Sequence, residues 1–316
     1  ENENMLREDE RAVYLALTSA VGADYFSLIK TNEMVELQKK LLNLNNELLK
    51  VVESKEKSGL ATLDDVLSVK DKSAQIELSL NALEAKKEIL ENQLGYLLGD
   101  KLFKKPETNT FNSVQIFQDV PNELNSEIIL NRPDVKSAMH NIKRADYTAR
   151  SAKRELLPSF TIMGTLGFNG YQHGTHLFSK NSGIADFWIM PNFDIFDGGR
   201  KYNMMKLRKL EYTRAQKEYE KAVLASLQEV NDALAVLKSE KKNYKISNDV
   251  EKIQAQKLKL KAANKNFGLA NEIDYILYQQ AEILAQQKLV SDKINYVISA
   301  INLYKSTGGA DFTENL

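Results

Sequence analysis

The chain has 316 residues, of which 43 are Lys or Arg and 43 are Asp or Glu, and it contains no cysteine. Zero net charge leaves it without a global field to collect nucleic acid or an anionic surface, and without cysteine it has neither a disulfide framework nor thiolate chemistry. Apolar residues make up 43% and charged residues 27%, with 14 Gly and 5 Pro and a mean hydropathy of −0.41, a helix-rich, coiled-coil-like composition.

All five prolines (Pro106, Pro121, Pro133, Pro158, Pro191) fall between residues 100 and 197. Proline breaks helix interiors, so residues 1–99 and 198–309 read as two long helical hairpins around an irregular middle, with 310–316 as a tail. The opening Glu1-Asn-Glu-Asn-Met-Leu has no signal-peptide character and reads as the interior of a longer chain. No uninterrupted apolar run reaches the ~18–20 residues of a transmembrane helix.

In the first hairpin Met34, Leu37, Leu41, Leu44, Leu48 and Val51 alternate spacings of three and four, the seam of a coiled coil. A turn follows at Lys57-Ser-Gly-Leu-Ala-Thr-Leu-Asp-Asp-Val-Leu67. Gly59 suits the left-handed residue that ends a helix. Thr62 is the expected N-cap of the returning helix, with Asp64 and Asp65 in its first turn. Ile76, Leu80, Leu83, Leu90, Leu94 and Leu97 continue the return. A helix of about 55–65 residues would be about 80–100 Å long. So narrow a hairpin builds no core alone, and its stripes are expected to meet helices of other subunits.

Residues 100–125 read as an irregular connector and 126–157 as a helix interrupted at Asn131-Arg-Pro-Asp134, where Pro133 suits the first helical position. After Pro158 the period changes to two. Phe160, Ile162, Leu166 and Phe168 share one face, and Thr161, Thr165 and Asn169 the other. A polar loop at 172–183 leads to a second run with Phe187, Ile189, Phe193 and Ile195 opposite Asp186, Asn192 and Asp194. Residues 158–197 thus form a predicted β-hairpin whose strands, about 10–12 residues each, suit a membrane span with lipid-out, water-in alternation. The bland reading is a strand pair half-buried on the helices. Against it, nothing else in the sequence reads as a strand, and an isolated hairpin is marginally stable; the pair needs a bilayer and a closed barrel, or partner chains. Tyr171 and Trp188 lie where interfacial aromatics gather, but Trp188 falls on the polar parity and receives no role. Gly198 and Gly199 form the predicted strand-to-helix bend.

The second hairpin repeats the first. Val21/Val230, Gly59/Gly268, Leu60/Leu269, Ala61/Ala270, Asp65/Asp274, Leu80/Leu289, Leu94/Leu303 and Gly99/Gly308 all stand 209 residues apart without a gap, a register that marks an internal duplication. Ile246, Val250, Ile253 and Leu260 take up the same seam, and Asn271 is the second predicted N-cap, followed by Glu272 and Asp274.

These residues resemble the TolC-type outer-membrane efflux proteins, most closely the branch serving tripartite multidrug pumps. The resemblance rests on Arg132-Pro-Asp-Val135 with Ala138 and Ala145; Leu157-Pro-Ser-Phe160 with Gly164 to Gly167; Pro191-Asn-Phe-Asp-Ile-Phe-Asp-Gly-Gly199; Glu229-Val-Asn-Asp-Ala-Leu234; the two tips; and Leu303-Tyr-Lys-Ser-Thr-Gly-Gly309. It implies a mainly α fold in which the two hairpins join an α-barrel within a homotrimer and the β-hairpin contributes to a transmembrane β-barrel. It further implies a bacterial outer-membrane duct with a long periplasmic extension, exporting small molecules such as drugs and toxic compounds. Its partners would be outer-membrane lipid, a periplasmic adaptor (membrane fusion) protein and an inner-membrane pump, with no nucleic acid. The alternatives are a type I secretion channel, a soluble coiled-coil scaffold or a periplasmic adaptor. Three copies of two strands give six, fewer than the eight of the smallest transmembrane barrels, so a further β-hairpin and helical leader are expected upstream.

No catalytic constellation stands out, and the expectation is a non-enzyme without cofactor or metal. His140 is isolated, and His173 and His176, in a polar loop without a carboxylate partner, suit solvent better than zinc. Asp65 and Asp274 hold equivalent repeat positions. They read either as helix-start acids favoured by the macrodipole or, if the return helices face the lumen of a trimer, as a carboxylate ring that favours cations. The resemblance places aperture acids at Asp274, with Leu277 standing where the next acid would be. Gly59, Leu60, Ala61 and Gly268, Leu269, Ala270 are the expected adaptor contacts, each an exposed leucine beside small residues that admit a close partner. The family's tip latch, a basic residue two after the glycine and a tyrosine three before it, meets Ala270 and Lys265 here, or Ala61 and Glu56, and does not carry over.

Overall fold

A computed structural model of the chain describes residues 1–99, 111–115, 127–168, 183–267 and 271–310. Its elements are α1 (Asn2–Lys57), α2 (Leu63–Leu98), a 3-10 turn (Phe111–Ser113), α3 (Glu127–Leu130), α4 (Pro133–Arg154), β1 (Ser159–Phe168), β2 (Gly183–Asn192), α5 (Arg200–Asn266) and α6 (Glu272–Ser306). The fold is mainly α with one β-hairpin, as the sequence implied. The duplication is visible in the boundaries: the ends of α1 and α5 and the starts of α2 and α6 keep the 209-residue offset. Most of the predicted connector, residues 172–182 of the predicted loop, Gly268, Leu269, Ala270, Tyr171, His173 and His176 lie outside the described residues, while Gly183, expected in the loop, already belongs to β2.

The chain divides into two compact units. One comprises Glu1–Glu8 and Asp134–Val223, and so holds α4, the strands and the start of α5. The other comprises Asp9–Pro133 and Leu224–Leu316, with α1, α2, the remainder of α5, and α6.

The core of the helical unit lies between α1, α2 and α6. Leu48 and Val52 of α1 meet Val66 of α2 and Ile276 of α6 near the tip. Further along, Leu37, Leu41, Ile76, Ile283 and Val290 form a second cluster, and Ile29, Val114, Ile294 and Val297 a third. Burying each such side chain contributes about 1.5–3 kcal/mol. This corrects one expectation: α6 of the same chain, and not another subunit, covers the seam of the first hairpin. The equivalent seam of α5 stays open, with Ile246, Val250, Ile253 and Leu260 all exposed. On α2, Leu67, Leu78 and Ile89 are also exposed; at intervals of eleven residues, three turns, they form one line along the helix.

Two amide rungs set the register between α1 and α6. Gln280 donates to Asn45 Oδ1 at 3.3 Å and Gln287 donates to Gln38 Oε1 at 2.8 Å, each partner one heptad from the next. Asn45, fully buried, also donates to the Val69 carbonyl and Ser73 Oγ, while Gln280 accepts from Lys72 at 2.9 Å. A buried amide whose partner is removed costs the full desolvation of the orphaned group, whereas removing both partners is nearly neutral. Asn45→Ala is therefore expected to destabilise by about 1–3 kcal/mol, and Asn45→Leu combined with Gln280→Leu by less. Equal losses in denaturant unfolding would show that the rungs are incidental.

A second correction concerns α1. It contains an 18-residue window of mean hydropathy 1.4, long and apolar enough by length and composition to cross a membrane, although only 17% of that window is buried. Polar residues interrupt the window, so a search for unbroken apolar runs passes over it.

Candidate membrane hairpin and helix tips

Pro158 closes off α4, and β1 pairs antiparallel with β2 from Ser159↔Asn192 to Phe168↔Gly183. Strand alternation then fixes the faces. Phe160, Ile162, Gly164 and Leu166 stand opposite Pro191, Ile189, Phe187 and Ala185, an unbroken apolar face. The other face joins Thr161, Met163 and Thr165 to Met190, Trp188 and Asp186. It is mixed, not polar: Trp188, on the parity expected for it, is opposite Met163. The second alternating run also ends earlier than expected. No partner residue precedes Ser159 in β1, so the ladder stops at Asn192 and leaves Phe193 and Ile195 beyond the strand.

Neither face is covered. Phe160 is 69% exposed, Phe187 69%, Ile189 56% and Trp188 41%. A half-buried pair packed on helices would hide one side, so the bland reading fails for this chain taken alone.

The bend after β2 is built from Asp197, Gly198 and Gly199. Both glycines have positive φ, +66° and +81°, where a side chain would be strained. Asp197 accepts from the Lys201 amide at 2.8 Å and from the Gly199 amide at 3.0 Å. Those bonds, the Lys201 amide foremost, hold its carboxyl below the usual range. It is the cap that starts α5, a role the glycine pair obscured in the sequence.

At the first tip, Leu60 N–H donates to the Lys55 carbonyl at 2.8 Å and Gly59 N–H to the Glu56 carbonyl at 2.9 Å, with Gly59 at φ +71°. This is a Schellman stop. Leu60 is 77% exposed, while Ala61 packs against the Leu48–Ile276 cluster. Thr62 and Asp65 form a reciprocal capping box: the Asp65 amide donates to Thr62 Oγ1, and the Thr62 amide donates to Asp65 Oδ2 at 2.8 Å. The Thr62 hydroxyl and amide hold the Asp65 carboxyl below its ordinary value.

The second tip differs. Asn271 caps α6 by accepting from the Ile273 amide at 2.7 Å, and Asp274 is exposed, its carboxylate unpartnered among the described residues. Lys265 pairs with Glu272 at 2.6 Å and lies 4.6 Å from the centre of the Tyr275 ring, while Lys261 lies over Tyr278. The position of the family's latch tyrosine thus carries a lysine that staples its own hairpin. Sequence reading missed this staple, although the seven-residue step from Lys265 to Glu272 across the turn was a usable signal.

Three of the motifs that carried the resemblance meet in one place. Arg132 is buried; its guanidinium donates to Glu229 at 2.7 Å and to the Ser306 carbonyl at the end of α6. Gly308, at φ +77°, packs against the backbone of Arg132.

Helical hairpins duplicated around a strand pair with one apolar, uncovered face make up a fold class shared with outer-membrane proteins of known structure. A family model described as outer membrane efflux protein matches residues 124–309, and the chain belongs to that family. It is 24% identical over 95% of its length to the probable efflux pump outer membrane protein TtgC of Pseudomonas putida, covering 62% of that protein. It is 27% identical over 96% of its length to the toluene efflux pump outer membrane protein TtgI of the same species, covering 64%. The chain therefore spans less than two thirds of the relatives it matches. In structure it is similar to the Campylobacter jejuni CmeC outer membrane channel, with a TM-score of 0.82, 23% identity, and coverage of 99% of this chain and 67% of that one.

Proposed function

We propose that the protein is a passive outer-membrane exit duct of a tripartite efflux system, working as a homotrimer with a periplasmic adaptor and an inner-membrane pump, and carrying small molecules from the periplasm to the outside. The observation that carries this reading is the strand pair, whose apolar face stands open from Phe160 and Pro191 to Leu166 and Ala185. Strands of ten residues tilted about 45° match the thickness of a bilayer core, and a strand edge in lipid must be closed by further strands. The open seam of α5 and the exposed line on α2 are the two surfaces that neighbouring copies would cover. Within such a ring the free carboxylate of Asp274 is better placed than the capped Asp65 to set the charge of the mouth. Leu60 is the anchor we assign to the adaptor, together with its repeat counterpart Leu269.

The full-length gene product, extracted from outer membranes in detergent, is expected to have the mass of a trimer and to conduct ions in planar bilayers. Asp274→Asn should lower its preference for cations. A monomer that never enters the membrane would sink the duct and return the hairpin to a packing role.

A further inference from the structure

Cations gather where the chain enters and leaves the strands. Residues 143–157 hold five cations and two carboxylates, and so do residues 193–210, in a chain that is neutral overall. Between them β1 and β2 carry a single charge, Asp186. Both approaches have the same order. Exposed Leu156 and Leu157 separate Arg150, Lys153 and Arg154 from β1, and exposed Phe193, Ile195 and Phe196 separate β2 from Arg200 and Lys201.

Helix chemistry accounts for only half of this. Lys153 and Arg154 occupy the last turn of α4, where the macrodipole favours cations. Arg200 and Lys201 open α5, where it disfavours them, and there the balance is local: Lys201 pairs with Asp194 at 2.8 Å, and Asp197 caps the same turn. The cations of α4 are the ones left without acids, at the level where an anionic layer would lie.

On α4 the cations line a groove open to solvent. A pocket of about 320 Å³ is lined by Arg150, Lys153, Arg154 and Leu157. Arg150 is committed to Asp146 through two bonds, at 2.7 and 3.1 Å. Among the described residues Lys153 and Arg154 have no carboxylate partner, although Glu155 follows them in sequence and Asp146 holds the neighbouring Arg150. The pocket thus offers two uncommitted cations beside one apolar wall, four residues from the first strand.

We propose that this pocket binds the phosphate of an anionic glycerophospholipid at the helix-side surface of the bilayer, with its acyl chains running toward the apolar strand face. The proposal rests on the membrane reading of the strand pair. Arg154 supplies a planar donor pair suited to phosphate, Lys153 a second charge, and Leu157 contact with the upper acyl carbons.

The test uses the full-length protein in vesicles of phosphatidylcholine alone or with phosphatidylglycerol, with bound lipid counted by native mass spectrometry. Phosphatidylglycerol is expected to stay bound and to raise the melting temperature, while phosphatidylcholine and inorganic phosphate do neither. Lys153→Gln with Arg154→Gln should weaken phosphatidylglycerol retention about thirty-fold and leave insertion and melting in phosphatidylcholine unchanged. Undiminished retention in this variant overturns the site, and so does an equal shift with inorganic phosphate, which would mark a free-anion site. Insertion into both vesicle types without discrimination overturns the lipid site alone. Insertion into neither overturns the membrane hairpin and the site with it.

Discussion

Replacing Ile246 and Ile253 by glutamate is expected to turn the proposed trimer of the full-length protein into a monomer while leaving its helical content unchanged. Both side chains are on the seam of α5, 61% and 49% exposed, so the chain's own fold does not depend on them. Covering them with a neighbouring copy would contribute about 1.5–3 kcal/mol for each fully buried isoleucine, in three interfaces at once. Glutamate removes that gain and adds the cost of burying an unpaired charge. Sedimentation in detergent measures the mass and circular dichroism the helix. A variant that remains trimeric would show that the seam faces water. A variant that loses its helices would show that the seam serves the fold of each chain.

Gly308→Ala is expected to cost about 3–5 kcal/mol, at the top of the range for a single substitution, and to shear the end of α6 from Arg132. A Cβ at this position would be 2.9 Å from Arg132 Cα and 3.3 Å from Pro133 Cδ, with φ at +77°. The left-handed backbone accounts for about 1–2 kcal/mol of the loss. The rest is contact with backbone that cannot give way without opening the Arg132–Ser306 bond. The duplication provides the control: Gly99 holds the equivalent place at φ +67°, with nothing among the described residues within 4 Å of where its Cβ would be. Gly99→Ala should therefore show the conformational cost alone. Equal losses in the two variants, read as melting temperature or as resistance to protease, would mean that the Arg132 contact has no energetic weight.

The fold was legible where a residue type permits only one local geometry. Gly59 followed by Thr62 and Asp65 announced a helix stop and a capped restart, and that is how the backbone runs. Apolar alternation identified both strands, yet Asp194 and Ile195 looked like their continuation, because a strand ends where its partner does and no single run of residues encodes that. Periodicity likewise revealed the stripe on α1 without naming its partner. Gln38 and Asn45 were the missed clue: two amides one heptad apart inside an apolar seam, answered by Gln280 and Gln287 at the same spacing. At the tips, the equivalence of Asp65 and Asp274 hid a difference that only side-chain geometry reveals, one carboxylate closed into a cap and the other free. Lys265 was weighed as a missing tyrosine, and its ion pair with Glu272 went unseen.

The rungs between α1 and α6 join residues 235 and 249 positions apart, which has a consequence for how the molecule comes into being. A chain made from its N-terminus displays the groove of α1 and α2 long before α6 exists to fill it. Leu37, Leu41, Leu48 and Ile29 must wait in water while the intervening segments emerge, a delay that pairing over such distances imposes on folding. Helix α6, made long after α1 and α2, is thus the keystone of the first hairpin. The waiting intermediate, with its apolar groove exposed, is the species most open to aggregation and to capture by a chaperone.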